Sequence, residues 1–467
     1  MNFSLTEIAS ITGGHLIGND LQLASISTDT RNLGESALFV ALIGESFDPH
    51  ELIEKDQANM AAAVLVQRKV NVLCAQIVVD DTYQALQKIA AAWRNRFSMP
   101  IVGVTGSNGK TSVKELIKSI LSTQGSVLAT VGNLNNHIGV PLTLFNLTEE
   151  HDYAVIEMGA NHAGEIANLA KLAQPNIGVV TNIGPAHLEG FGSIEGVARA
   201  KAEMYANLSD SGVAVVNADD AYSDTWEAEI GNRMKISFGI EKAADVSGKQ
   251  IAGGLVEITT PMGEVRVKPQ VSGMHAVLNI LAATAVGLAI GIDLEDIKTG
   301  IENTQAVKGR LVRVAGLAGS TVLDDTYNAN PASLAAALDV QAQEAGEHWL
   351  VLGDMGELGD ESEFMHTKAG EIAKQFGVQR LFAYGELTKL SVQSFGAGAK
   401  HFSSHAEIVS ELQDELTKDI CVLVKGSRAM QLEIIVAGIK TSKASANGKL
   451  NGQSDGHLNT GHSEYVA

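Results

Sequence analysis

Residues 101–112 read IVGVTGSNGKTS, an apolar run that passes through two glycines into Lys-Thr-Ser and then the helical pattern VKELIKSILS. A β-like run, a Gly-containing turn and a helix start form the frame in which backbone N–H groups and a helix dipole hold a phosphate. In that frame Gly106 and Gly109 turn the chain, and Ser107, Asn108 and Ser112 lie along the loop. Lys110 neutralises the β/γ oxygens, and the Thr111 hydroxyl can hold magnesium. The spacing is TGxxGKT, since Val104 stands where the longer phosphate-loop pattern has glycine. The pattern therefore predicts a nucleotide-phosphate site with Mg2+. A switch-type GTPase would need Asn-Lys-x-Asp after a later strand. The nearest run, Asn217-Ala218-Asp219-Asp220, lacks the lysine, so guanine specificity is unsupported.

Outward from this loop, β-like and helical segments alternate: YAVIEMG, EIANLAKLA, IGVVTNIG, GVARAKAEMYANL and GVAVVNAD. That alternation predicts a parallel sheet covered on both faces. Residues 240–270 read as a β-rich insertion before a long Ala/Leu helix, and a break near Val312 opens a second alternating series. Upstream, residues 1–80 hold short β-like runs between polar turns, and DTYQALQKIAAAWRNRF places Leu86, Ile89, Ala90 and Trp93 on one helical stripe. A chain of 467 residues, at roughly 100 to 200 residues per domain, fits this division. The fold class expected is α/β with three domains: a small N-terminal α/β domain over 1–80, a central phosphate-loop domain with a parallel sheet over 81–312, and a C-terminal Rossmann-like domain over 313–440. The tail 441–467 has few large apolar residues and is expected to be disordered, without catalytic role.

Composition narrows the partners. The formal charge of −20 repels nucleic acid and anionic membrane, which favours small substrates. Cys74 and Cys421 lie far apart in apolar runs and read as core thiols rather than a disulfide or zinc site. The first residues, MNFSLTEIAS, carry neither a basic region nor an apolar one, and no run is long enough to span a bilayer. A cytoplasmic monomeric enzyme is expected.

Past the phosphate loop, acid and imidazole groups fall at the ends of predicted strands, where ligands of doubly wound sheets gather. Glu157 closes YAVIE, and a buried acid there is costly unless it binds a cation such as magnesium. His187 lies in the Gly/Pro loop TNIGPAHLEG. Lys201, in the helical run GVARAKAEMY, reads on physics alone as an exposed lysine. Asn133, Asn135 and Asn136 form a polar loop after a strand, suited to amide hydrogen bonds with a peptidyl substrate or else a plain Asn-rich turn.

Taken together and in this order, TGSNGKTS, GNLNNHIGVPLTL, YAVIEMGANHAGEI, NIGPAHLEGFGS, GVARAKAEMY, DDTYNANPASL, VLGDMGELG and LVKGSRAMQLE resemble the Mur ligases over residues 1 to about 440. The resemblance implies an ADP-forming ligase of peptidoglycan synthesis that adds D-alanyl-D-alanine to a UDP-N-acetylmuramoyl-tripeptide through an acyl phosphate. It implies that Lys110 and Thr111 bind ATP phosphates and magnesium, that Glu157 holds a first metal ion and His187 a second, and that Lys201 carries a carbamate. His275 and Asn279 resemble the adenine-contacting segment, although Ala276 stands where many relatives have asparagine. Arg310 resembles an arginine that reaches ATP, and Asp325 and Asn328 resemble its ribose and phosphate contacts. Ser27, Asp29 and Arg31 in STDTR, with Asp48 and His50 in SFDPH, resemble the UDP-sugar segments. The basic segment from Lys425 to Arg428 is placed to hold a dipeptide carboxylate. Folylpolyglutamate synthase is the nearest alternative ligase, and a nucleotide-binding regulator is the non-catalytic one.

Overall fold

The computed structural model describes residues 1–44, 46–55, 61–185, 187–270 and 273–441. The tail lies outside the described residues from 442 onward. Among the described residues the strands form three large sheets and one two-stranded ribbon.

The central sheet runs in the order Gly263–Val267, Leu255–Thr260, Val246–Ile251, Met234–Gly239, Val213–Asn217, Ile177–Val180, Ile101–Thr105, Tyr153–Glu157 and Val127–Ala129. From Val246–Ile251 to Val127–Ala129 all neighbours are parallel. Ile101–Thr105 is buried at every position, as a strand covered on both faces must be. The β-rich segment near 240–270 is an edge of this sheet rather than a separate insertion, and its last two strands join antiparallel. The Ala-rich helix Met274–Ile290 covers that half, with Ile280, Leu281, Ala283 and Val286 in the same core as Val102 and Val215.

The third sheet orders Val312–Ala315, Thr321–Asp325, Ile420–Lys425, Glu347–Gly353, Arg380–Tyr384 and Ala399–Phe402, parallel except for its first strand. Val312 is thus the first residue of a strand of this sheet. The turn that leads into it has Gly309 at φ 72° and Leu311 at φ 55°, both left-handed. The N-terminal sheet pairs His15–Ile17, Ala75–Val78, Ala63–Val66, Ala37–Val40 and Ser25–Ser27.

The helix Thr82–Arg94 starts at Asp81, whose carboxylate accepts from the amides of Tyr83 and Gln84, a cap worth about 1 kcal/mol. Leu86, Ile89, Ala90 and Trp93 are buried, as their spacing predicts. Trp93 meets Phe3 of the N-terminal part at 5.3 Å between rings, and its indole N–H donates to the carbonyl of Leu147 in the central part at 3.2 Å. The helix therefore packs against both. Cys421 is buried, its thiol pushed up to about 12 by burial, whereas Cys74 is only half-buried just before a strand.

Candidate active site

The parallel register aligns the carboxyl ends of three central strands. Val104 lies opposite Glu157 and Thr105 opposite Val180, so the chain leaves the sheet at Gly106, Glu157 and Thr181 side by side. This is the crevice where open α/β sheets bind ligands. A cleft of about 1230 Å³ opens there, walled on its far side by the third sheet's loops.

Gly106 adopts φ 144° and Gly109 φ 79°, conformations that L side chains rarely take. Neither has room for a Cβ, which would stand 1.9 Å from Thr181 Oγ1 at Gly106 and 2.6 Å from Asn279 Oδ1 at Gly109. The loop is pinned from outside by the strand end after Val180. The Ser107 amide donates to the Asn182 carbonyl (2.9 Å), the Asn108 amide to Asn182 Oδ1 (2.9 Å), and the Thr181 hydroxyl to the Asn108 carbonyl (2.6 Å). Lys110, first residue of the helix Lys110–Leu121, donates through Nζ to the Gly106 carbonyl at 2.7 Å. Burial pulls its pKa down; Glu157 and Glu357 oppose that pull, and Arg310 adds to it.

Glu157 is 2% exposed. Its Oε1 accepts from Asn135 Nδ2 at 2.8 Å, while Oε2 is buried with no hydrogen-bond partner. An uncompensated buried carboxylate oxygen beside a phosphate loop fits a cation. Among the described residues no three His, Cys, Asp or Glu side chains cluster as a complete metal cage.

His187 starts the short helix Leu188–Phe191 with φ 53°, and its Nδ1 is 2.8 Å from Glu357 Oε2. Lys201 is buried on the helix Ile194–Ala206, against the expectation of an exposed lysine from physics alone. Its Nζ is 5.4 Å from the Phe191 ring centre, and burial first, then the Lys110 charge, brings its pKa down to about 7.

The third sheet supplies the opposite wall. Lys425, 1% exposed, donates to Asp325 Oδ2 at 2.5 Å and to the Asn328 carbonyl at 2.9 Å. The group taken for the dipeptide carboxylate is thereby bound to the two taken for the nucleotide. Arg428, largely exposed, pairs with Glu433 at 2.7 Å and lines the cleft. The Arg310 guanidinium lies 3.9 Å over the Tyr327 ring, with Nη2 3.5 Å from Thr111 Oγ1. His275 and Asn279 face the cleft from Met274–Ile290, and burial lowers the pKa of His275, which favours a neutral imidazole.

Thus Ser107, Asn108, Gly109, Lys110, Ser112, Asn133, Asn135, Asn136, Glu157, His187, His275, Asn279, Arg310, Asp325, Asn328, Lys425 and Arg428 share one cleft. Gly106, Thr111 and Lys201 are not among its lining residues. Ser27, Asp29, Arg31, Asp48 and His50 are not among them either: Ser27 ends the strand Ser25–Ser27, Asp29 caps the short 3-10 turn Thr30–Asn32 that holds Arg31, and Asp48 precedes the helix Pro49–Lys55 that holds His50. Ser27 and Asp29 bond to each other and Asp29 takes the Arg31 guanidinium. His50 is fully buried: its Nδ1 faces Asp48 Oδ1 at 2.7 Å and its Nε2 accepts from the Gln67 amide at 2.9 Å. Asn136 Oδ1 accepts from the Ile138 and Gly139 amides, a helix-start role. The Asn217–Asp220 run is spent on turns, with the Asp219 carboxylate accepting from the amides of Ile240, Glu241 and Lys242.

Sequence reasoning missed Glu357, Tyr327 and Asn330, whose Nδ2 donates to Asn108 Oδ1 at 2.8 Å. Asn330 is the N-cap of the helix Pro331–Ala342, a role that an Asn-Pro pair suits, and nothing local to it encodes its reach to the phosphate loop.

A phosphate loop, a cation-ready carboxylate, a buried lysine and a facing third domain define an ATP-dependent ligase of the Mur type. The Mur ligase middle domain matches residues 104–287, and the Mur ligase glutamate ligase domain matches residues 309–428. The chain is 41% identical to the UDP-N-acetylmuramoyl-tripeptide–D-alanyl-D-alanine ligase of Escherichia coli K12, over 94% of this chain and 99% of that one. The crystal structure of MurF from Acinetobacter baumannii superposes with a TM-score of 0.88 at 35% identity, covering 94% of this chain and 98% of that one. MurF from Thermotoga maritima in complex with ADP follows at TM-score 0.78 and 28% identity, covering 89% and 96%. The chain belongs to the MurF branch of the Mur ligases. Mycobacterium tuberculosis folylpolyglutamate synthase, at 15% identity and TM-score 0.60 over 76% of this chain and 93% of that one, shares the fold alone.

Proposed function

We infer that this chain is an ADP-forming ligase that uses ATP to join D-alanyl-D-alanine to a UDP-N-acetylmuramoyl-tripeptide, a step of peptidoglycan synthesis. The observation that carries the chemistry is the half-buried Lys110, whose charge is felt by Glu157 with its unpartnered oxygen, in a cleft between the central and third sheets. A carboxylate is too poor an electrophile for an amine at neutral pH. The tripeptide's terminal carboxylate therefore attacks the γ-phosphorus of ATP, ADP leaves, and an acyl phosphate forms. The amine of D-alanyl-D-alanine then attacks the acyl carbon, and the tetrahedral intermediate expels phosphate to leave an amide.

Lys110 and the loop amides hold the charge that develops on the transferred phosphoryl group. Arg310 and the Asp325–Lys425 pair hold the nucleotide from the third-domain side, with Asn279 and His275 toward the base. Thr111, Glu157 and His187 would hold magnesium, which when bound neutralises phosphate oxygens. Lys201 supports a carbamate reading: with its pKa near 7, its amine is partly neutral at physiological pH and can add to carbon dioxide, turning a buried cation into an anion with oxygen donors. Asn135, by holding Glu157 Oε1, keeps Oε2 turned to the cleft. The loops carrying Ser27, Asp29, Arg31 and Asp48 are the proposed UDP-sugar end, and Asn133 and Arg428 flank the peptide path. The need for ATP and a UDP-activated precursor supports a cytoplasmic reaction.

Phosphate release tests the reading. It should require ATP, Mg2+, a UDP-N-acetylmuramoyl-tripeptide and D-alanyl-D-alanine together, with single D-alanine a poor acceptor. Turnover with glutamate and a folate, and none with the muramoyl peptide, would overturn it.

A further inference from the structure

Among the non-glycine residues of the cleft that hold left-handed backbone are His187 at φ 53° and Glu357 at φ 64°. Such conformations cost free energy and persist where the surroundings over-determine them, commonly at functional sites. Their side chains meet although 170 residues separate them: His187 comes from the central sheet and Glu357 from the loop after the third-sheet strand Glu347–Gly353. His187 Nδ1 stands 2.8 Å from Glu357 Oε2. Among the described residues no hydrogen bond engages the other ring nitrogen, Nε2. The two segments also approach at Gly359, where a Cβ would meet the Glu189 side chain at 3.7 Å.

Imidazole has two tautomers, and the group that accepts from one nitrogen decides which nitrogen keeps a lone pair. A carboxylate facing Nδ1 selects the Nδ1–H form and leaves Nε2 to bind a metal, the arrangement by which carboxylates orient metal-binding histidines elsewhere. Here the carboxylate arrives from a different domain.

We propose that Glu357 is a positioning residue for the second metal ion: by accepting the Nδ1–H of His187 it turns Nε2 to the cleft, so that docking of the third domain completes the metal site. This rests on the metal reading of His187 given above. A plain interdomain latch would hold the domains together without affecting the tautomer or the metal affinity.

The test uses the full chain with ADP, Mn2+ as the metal probe followed by its paramagnetic resonance, and 15N-histidine spectra to read the His187 tautomer. In the wild type, His187→Ala should remove one class of Mn2+ site. Unchanged Mn2+ binding in that variant would overturn the metal reading, and this proposal with it. Where that site is lost, Glu357→Ala should weaken it by about 10- to 100-fold and release His187 into a tautomer mixture. Glu357→Gln, whose amide oxygen can still accept, should fall between the two. Glu357 is half-exposed, so the melting temperature should stay unchanged, and if Glu357→Ala fails to fold, the isosteric Gln variant decides by the same readouts. Wild-type Mn2+ affinity and a single Nδ1–H tautomer in the folded variant would overturn the proposal.

Discussion

Replacing Gly106 by alanine probes the phosphate loop more sharply than removing a charge would. The new Cβ would lie 1.9 Å from Thr181 Oγ1, 3.0 Å from the Thr181 amide nitrogen and 3.1 Å from its Cβ, where ordinary contacts begin at 3.4 Å. Thr181 cannot simply retreat, because its hydroxyl donates to the Asn108 carbonyl at 2.6 Å and its amide to the Thr105 carbonyl at 2.9 Å. Overpacking of this kind costs about 1–3 kcal/mol. The φ of 144° adds about 1–3 kcal/mol for a residue with a side chain. The sum, about 2–6 kcal/mol, falls on the loop, so native-state hydrogen exchange at the Ser107 and Asn108 amides, which donate to Asn182, is the assay, with ADP affinity by calorimetry beside it. Removing Oγ1 by Thr181→Ala relieves the closest contact but not the backbone conformation. The double variant should therefore recover about 1–2 kcal/mol relative to additivity. A Gly106→Ala protein with exchange within about 0.5 kcal/mol of wild type and unchanged ADP binding would refute the steric reasoning.

Three further outcomes follow from the same geometry. Lys201→Ala should be nearly inactive and partly restored by short carboxylic acids that refill an anionic position; rescue by amines instead would count against a carbamate. Lys425→Met leaves the largely buried Asp325 carboxylate without its cation and should destabilise the third domain by up to about 3–5 kcal/mol in denaturant unfolding, whereas a loss below about 1 kcal/mol would contradict the pair's weight. At Asp48, burial pushes the carboxyl pKa up, but the His50 amide and ring and the Arg68 guanidinium outweigh it and hold the carboxyl at about 2. Since the folded value lies below the unfolded one, its stabilising contribution is full above about pH 4 and is lost as pH falls toward 2. Arg68→Ala should raise the Asp48 midpoint in a carboxyl 13C titration; a wild-type midpoint near 4 would refute this.

What the sequence discloses is what depends on near neighbours. The phosphate loop is legible because strand, glycines, Lys110, Thr111 and helix are contiguous, and Glu157 because an acid directly after Val155 and Ile156 must be buried. The Ala/Leu pattern of Met274–Ile290 shows a buried helix, and the stripe through Trp93 shows a packing face. Tertiary pairing is not legible. Asn135 read as a substrate contact, yet its amide is spent on Glu157, across a strand register that no local pattern encodes. Lys425 read as a dipeptide anchor, but strand Ile420–Lys425 enters the sheet beside Thr321–Asp325 and brings it to Asp325, 100 residues away. Glu357 and Asn330 become visible only when two domains face each other. Lys201, in the helical run GVARAKAEMY, read on physics alone as exposed, and only the fold shows the helix face that buries it.

The account's central claim is that this site activates a carboxylate on ATP and passes it to an amine. Labelling both oxygens of the tripeptide's terminal carboxylate with 18O tests that claim most directly. Attack on the γ-phosphorus leaves one labelled oxygen bridging carbon and phosphorus, and amide formation releases it with phosphate. The mass of the product phosphate should therefore show a single 18O for each amide formed. Unlabelled phosphate from an enzyme that still makes the amide would contradict the acyl-phosphate route and the roles given to Lys110 and Glu157.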